Sequence, residues 1–318
     1  MTSIPYISAA EVRAALPMAK AIDVMQDAFR ALGQGRVSMP QRIPINTPGG
    51  VTFFMPGYIA TDDGGQLAQK IVSVYGGNRS KGLPVIHALV TVLDPLSGAP
   101  KAILDGAYLT ALRTGAVSGL ATHYLAKPES HTLTIIGAGG QAACQIEAVC
   151  AVRPIQTVNI ISRGDSAAAL AAQLSAADPT RRYVAANATR EAALRAADVI
   201  VTSTASTAPL FDGAWVKEGA HVNAIGAYRP DMCEVDASLL RRSAVYVDQR
   251  AAALEEAGDL LIPAASGEWS MDAVRGDLAE LVLGHVTADP QRTTLFKSCG
   301  LAVEDIAAAA AIVAATAR

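Results

Sequence analysis

The chain has 318 residues, 51% of them hydrophobic and 17% charged, with a formal net charge of −3. That length fits two domains with large cores, and the near-neutral balance excludes a basic nucleic-acid surface or a cationic membrane face. Four cysteines without a C-x-x-C pair exclude a disulfide framework, and five histidines without ligand spacing give no metal site.

The opening MTSIPYISAAEV has neither a basic stretch nor a long apolar core, so no secretory signal is expected. Ser8 and Glu11 form a capping box ahead of a first helix. A second helix starts at Pro17 and ends near Gly33 or Gly35, with Ile22, Met25, Phe29 and Leu32 at helical spacing. From Ile43 the pattern turns to strands, at 51–55, 69–75 and 87–93, then a turn at 94–98 and a return strand at 102–105. These read as a mainly antiparallel sheet. A long helix covers 109–125 and stops at Lys127-Pro128.

From His131 strands at 132–136, 157–161, 198–202, 220–225 and 244–247 alternate with helices at 141–151, 165–176, 190–196 and 236–241. Such alternation predicts a parallel sheet with helices on both faces. The fold class is therefore α/β: a Rossmann-type doubly wound domain preceded by an N-terminal α+β domain. A last helix follows residue 300. The apolar run from Ala307 to Ala317 is too short to span a bilayer, and a cytoplasmic protein is expected.

Gly137-Ala138-Gly139-Gly140-Gln141-Ala142 follows the first strand of that alternation and opens its first helix, which is the context a dinucleotide fingerprint requires. Gly137 allows the tight turn, Gly139 the approach of a pyrophosphate, and Ala142 close packing of helix on strand. The helix N-terminus faces the phosphates. The second strand ends at Ser162-Arg163, where an NAD enzyme usually carries an acid for the ribose 2'-hydroxyl. Arginine there can pair a 2'-phosphate, which favours NADP over NAD, although nearby Asp165 keeps NAD open. Thr202-Ser203-Thr204 and Ile225-Gly226 end two further strands, where cofactors bind in open α/β sheets.

In order along the chain stand Pro40-Gln41-Arg42, Lys70 within Gln69-Lys70-Ile71-Val72, Leu112-Arg113-Thr114-Gly115-Ala116, the fingerprint, Gly226 to Pro230, Glu256-Ala257-Gly258-Asp259, and Gly300-Leu301-Ala302 with Glu304-Asp305. With these the sequence resembles the ornithine cyclodeaminase/mu-crystallin family over essentially its whole length. The resemblance implies a homodimer. Its substrate-binding and dimerisation domain would span 1–118 and 303–318, and its Rossmann domain 119–302. It implies that Arg42 and Arg113 hold a substrate carboxylate, that buried Lys70 moves a proton, and that Glu256 is a second acid/base. Thr114 and Gly115, read as the start of a helix, would offer backbone N–H groups to the cofactor phosphates. Met55, Tyr58 and Tyr228 are candidates to cover the substrate side chain. Cyclodeaminases carry an aspartate where this chain has Tyr228, so the resemblance points to the ketimine reductase branch. The expected reaction is NAD(P)H-dependent reduction of Δ1-pyrroline-2-carboxylate or Δ1-piperideine-2-carboxylate, with no nucleic-acid or membrane partner. Ornithine cyclodeaminase, an alanine or other amino-acid dehydrogenase, and a crystallin-like NADPH-binding protein stay open.

Overall fold

A computed structural model describes residues 3–62, 64–289 and 291–316; Met1, Thr2 and Ala317, which bound the terminal stretches read above, lie outside them. The chain divides into two units, Met1–Thr114 with Leu301–Arg318, and Gly115–Gly300.

In the first unit β1 (Tyr6–Ile7) precedes α1 (Ala9–Ala15), whose N-terminus carries the Ser8–Glu11 capping box, and α2 (Met18–Gly33) follows. Then come β2 (Val37–Ser38), β3 (Ile43–Thr47), β4 (Gly50–Ile59), β5 (Gln66–Val74), β6 (Ile86–Leu93) and β7 (Pro100–Asp105). They form a sheet ordered β1-β7-β6-β5-β4-β2, with β3 also paired to β4. All pairs are antiparallel except β1 with β7. Strand alternation gives the sheet two different faces. Val51, Phe53, Met55, Ala68, Val72, Val90 and Val92 are buried, on the side where α2 and the C-terminal helix (Ala302–Thr316) pack. On the other side Ile43, Phe54, Ile71 and Leu89 stand in register across β3, β4, β5 and β6. Ile43 and Leu89 in that row are 55% and 46% exposed, and Phe54 and Ile71 between them are half-buried.

The helix α3 (Gly106–Leu125) starts three residues earlier than its apolar pattern predicts. Asp105 accepts the Tyr108 amide at 2.9 Å and so caps it. The boundary between the units falls inside this helix, after Thr114.

The second unit contains β8 (Thr132–Ile136), α4 (Ala142–Val152), β9 (Thr157–Ile161), α5 (Ser166–Ala177), β10 (Arg182–Ala185), α6 (Arg190–Ala196), β11 (Val199–Thr202) and β12 (His221–Ala224). After them come α7 (Ala237–Arg242), β13 (Ala244–Val247), α8 (Arg250–Glu256), α9 (Gly258–Ala265), β14 (Val274–Asp277), α10 (Leu278–Leu283) and β15 (Thr294–Lys297). The sheet is wholly parallel, ordered β10-β9-β8-β11-β12-β15-β13-β14. The chain leaves β8 toward β9 and β10 on one side, then returns to place β11 on the other. The switch between β8 and β11 opens a crevice at the carboxyl ends of the strands, the usual place for a ligand in such a sheet. Leu133, Ile135, Ile146, Val149, Val158 and Ile160 make one core. Ile136, Leu194, Val222, Leu239, Val245 and Leu295 belong to another. The doubly wound expectation is therefore met. Among the described residues no helix is long and apolar enough to cross a membrane.

Candidate active site

The first unit holds four buried charges. Lys70 in β5 stands opposite Met55 of β4 and Val90 of β6, pointing with them into the core. An isolated ammonium there would cost several kcal/mol. The C-terminal helix supplies the counter-charge: Lys70 Nζ lies 2.7 Å from Asp305 Oδ2. The other oxygen of Asp305 accepts Arg113 Nε at 3.0 Å, and Arg113 Nη1 pairs with Glu304. Glu304 Oε1 accepts the Leu301 amide at 2.9 Å, which seats the helix end. Lys70, Arg113, Glu304 and Asp305 are each at most 5% exposed, and their formal charges cancel.

Burial, and then the neighbouring Arg113, lower the Lys70 ammonium to about 8, while Asp305 and Glu304 resist the shift. Burial opposes the Arg113 cation as well, but Asp305 and Glu304 outweigh it and hold the guanidinium more firmly than usual. Arg42 is half-buried with its guanidinium 4.7 Å from the centre of the Phe53 ring, on the face that also carries Met55 and Lys70. The structure thus gathers Arg42, Met55, Lys70 and Arg113 on one side of the sheet. Arg113 is engaged with the C-terminal helix through two of its nitrogens, Nε to Asp305 and Nη1 to Glu304. Tyr58 corrects the sequence reading. Strand alternation turns it away from Met55, and its hydroxyl donates to Gly64 O at 3.1 Å.

Thr114 and Gly115 are a second correction. Because the helix begins at Gly106, both lie well inside it and their amides face intrahelical carbonyls. Those backbone amides are therefore not available to phosphates. Gly115 is small for packing, since a Cβ there would meet Cys144 O of α4 at 2.6 Å.

The second unit carries the fingerprint. Gly137 has φ +117°, and a Cβ on it would sit 2.3 Å from Ser203 O, so β8 and the loop after β11 touch at backbone distance. At Gly139 and Gly140 a Cβ would meet nothing within 4 Å, and the first turn of α4 has no side-chain cap. Open space in front of uncapped helix N–H groups fits a dinucleotide pyrophosphate. We predict that Gly137→Ala costs about 1–3 kcal/mol from the strained φ alone, measured by thermal melting. Gly140→Ala should melt like the parent chain and weaken only dinucleotide binding.

Past β9, the Ser162 amide donates to Asn187 Oδ1 at 2.9 Å and Asn187 Nδ2 donates to Gly164 O at 3.1 Å. The turn is fixed from the loop after β10 while Arg163 stays exposed to solvent. Thr202, Ser203, Thr204, Ile225 and Gly226 end β11 and β12 as the pattern predicts. Tyr228 is half-buried after them. Glu256 is the half-buried last residue of α8. Asp231 is committed to Arg229 through two contacts of 2.9 Å and is exposed.

Sequence reasoning missed fully buried charges in this unit, among them Glu234, Asp259 and Lys297. Glu234 accepts Thr202 Oγ1, the Thr204 amide and hydroxyl, and the Gly226 amide. Asp259 Oδ1 takes the Glu234 and Val235 amides, and its Oδ2 lies 2.9 Å from Lys297 Nζ. Burial, then Asp259, raise the Glu234 carboxyl, opposed by Lys297 and the threonines. Burial opposes the Lys297 cation, but Asp259 in front of it raises the ammonium overall. The available signal was acids and a lysine inside apolar runs: Glu234 between Cys233 and Val235, Lys297 after Leu295-Phe296.

The model of the ornithine cyclodeaminase/mu-crystallin family matches residues 6–317. The ketimine reductase mu-crystallin of Mus musculus is 38% identical over 277 residues, 86% of this chain and 84% of that protein. The solved Δ1-pyrroline-2-carboxylate reductase of Thermococcus litoralis, in complex with NADH and L-proline, superposes with a TM-score of 0.94 at 34% identity, covering 99% of this chain and 98% of the other. An archaeal alanine dehydrogenase dimer with bound NAD gives 0.91 at 30% identity, covering 99% and 96%.

Proposed function

From the premise that this chain belongs to the ornithine cyclodeaminase/mu-crystallin family, we propose that it is an NAD(P)H-dependent ketimine reductase. It converts Δ1-pyrroline-2-carboxylate to L-proline and Δ1-piperideine-2-carboxylate to L-pipecolate. The observation that carries this is the neutral buried cluster of Lys70, Arg113, Glu304 and Asp305. A lysine lowered to about 8 is mostly protonated at neutral pH yet gives its proton up readily, which suits an acid beside an imine nitrogen. Arg42 and Arg113 hold the substrate carboxylate. Asp305 keeps the ammonium oriented. The bound reduced nicotinamide supplies the hydride that the protonated C=N accepts at C2. The fingerprint residues Gly137 to Ala142 hold its pyrophosphate, and Thr202 to Thr204, Ile225 and Gly226 its nicotinamide half. Glu256 and Tyr228 stand as candidates for a second acid/base and for the substrate cover.

Ornithine cyclisation is disfavoured, because Tyr228 offers no carboxylate to a side-chain amine and Asp231 is occupied by Arg229. The structural resemblance to an alanine dehydrogenase dimer and the stripe of Ile43, Phe54, Ile71 and Leu89 together support a homodimer through the first-unit sheet. A cytoplasmic location fits cysteines of which none forms a disulfide among the described residues.

The test is oxidation of NADPH, followed by absorbance, with Δ1-pyrroline-2-carboxylate as acceptor and with ornithine plus NAD alongside. Rapid oxidation only with the imine supports the reading; proline and ammonia from ornithine without imine reduction overturn it. Exposed Arg163 is proposed to pair the 2'-phosphate. Arg163→Ala should therefore lower the preference for NADPH over NADH by about tenfold or more, the worth of a charge-assisted hydrogen bond.

A further inference from the structure

Glu234 lies where no sequence motif pointed, yet it binds the loops after both β11 and β12. Its two carboxylate oxygens divide their partners between adjacent loops. Oε1 takes the Thr204 amide at 2.6 Å and hydroxyl at 2.8 Å, from the loop after β11. Oε2 takes the Thr202 hydroxyl at 2.8 Å and the Gly226 amide at 2.7 Å, the latter from the loop after β12. The loops also meet directly: a Cβ on Gly226 would lie 2.2 Å from Thr204 O. The carboxylate is itself fixed from behind. Asp259 binds the Glu234 amide, and Lys297 at the end of β15 neutralises Asp259. Residue Lys297 is in register with Ala224 of β12, so the chain of contacts spans three neighbouring strand ends.

We propose that Glu234 is a positioning residue for the dinucleotide: it holds the Thr202–Thr204 and Gly226 loops together as the wall that receives the nicotinamide, and it places a negative charge behind that wall. This rests on the cofactor reading above. The charge follows from counting. Glu234, Asp259 and Lys297 are all fully buried, and two carboxylates share one ammonium. Burial and Asp259 raise the Glu234 carboxyl, but each of its oxygens faces a backbone N–H, a group that can only donate, so the hydrogen bonds require acceptors on both oxygens, which the ionised form supplies. The oxidised nicotinamide ring is a cation and the reduced ring is neutral. A carboxylate behind the wall therefore stabilises bound NADP+ more than bound NADPH.

The experiment compares the purified full-length chain with Glu234→Gln and Glu234→Asp. NADPH binding is followed by its fluorescence, NADP+ binding by competition, and the KM for Δ1-pyrroline-2-carboxylate at saturating NADPH. In E234Q the amide must turn N–H against a backbone N–H. NADPH affinity should fall about tenfold, the effect of one mispaired buried hydrogen bond. NADP+ affinity should fall several-fold further, and the imine KM should stay near the parent value. E234D keeps the charge but shortens the reach, so it should weaken both nucleotides equally and keep the parent ratio. The NADP+/NADPH ratio is read on E234Q; if that variant does not fold, parent-like affinities in E234D overturn the proposal. A merely structural glutamate would lower the melting temperature without moving the NADP+/NADPH ratio, and that result overturns the proposal. Parent-like affinities in the variants overturn it too. If the parent chain binds neither dinucleotide, the cofactor reading fails first and takes this inference with it.

Discussion

Lys70→Met should lower kcat for imine reduction by about 10²–10⁴-fold, the usual worth of a positioned general acid, while leaving NADPH binding intact. Methionine matches the buried volume and Asp305 keeps Arg113 as a partner, but Glu304 and Asp305 then face one cation instead of two, so kcat is compared on protein shown by thermal melting to be folded. The pH profile carries the sharper evidence. Burial lowers the Lys70 pKa to about 8, and the protonated form is the one that serves the reduction. Activity in the parent chain should therefore hold below pH 8 and decline as pH rises through it, about tenfold per unit. K70M should lack that descending limb. A variant that reduces the imine within a few-fold of the parent would remove Lys70 from the mechanism.

Arg113→Met is expected to act on the fold before it acts on catalysis. It leaves Glu304 and Asp305 buried with only Lys70 to answer them. Removing one partner of a buried charge network typically costs about 3–5 kcal/mol, a large share of the roughly 5–15 kcal/mol that holds an average domain together. Differential scanning calorimetry should show an early transition assigned to the first unit. Adding Glu304→Gln to Arg113→Met restores charge balance and should recover much of the lost stability, but none of the activity. Arg113→Lys keeps the charge and loses the planar fork, so it should fold and bind the imine poorly. If R113M melts like the parent chain, the network contributes little to stability, and loss of activity in R113M reports substrate binding directly.

The sequence made local chemistry legible. Ser8 and Glu11 as a cap, the Gly137–Ala142 turn between strand and helix, and the strand ends at Ser162, Thr202 and Ile225 all stand as their patterns imply. Lys70 was readable as buried because its neighbours are Ile71 and Val72. What stayed hidden was pairing at a distance. Nothing near Arg113 announces Glu304 and Asp305, and the spacing from Arg113 to Asp305 is 192 residues. The strand β15 has only four residues, ends in a lysine, and slots between β12 and β13 rather than at an edge. Its brevity hid it, and no local rule gives its place. The start of α3 was misjudged because Asp105 was read as the end of a strand and not also as a cap.

The C-terminal helix gives the protein an unusual order of assembly on the ribosome. Folding domains usually form in the order they emerge, N-terminal first, at about 5–20 residues per second. Here the first unit is unfinished until the last segment arrives. At that pace Arg113 waits roughly 10–40 seconds for Asp305. Throughout that interval the nascent first unit carries two cations that cannot be buried without their carboxylates. The second unit, complete at Gly300, is free to fold first. A stop codon at Leu301 would release a chain with its second unit whole and its first unit without Glu304 and Asp305.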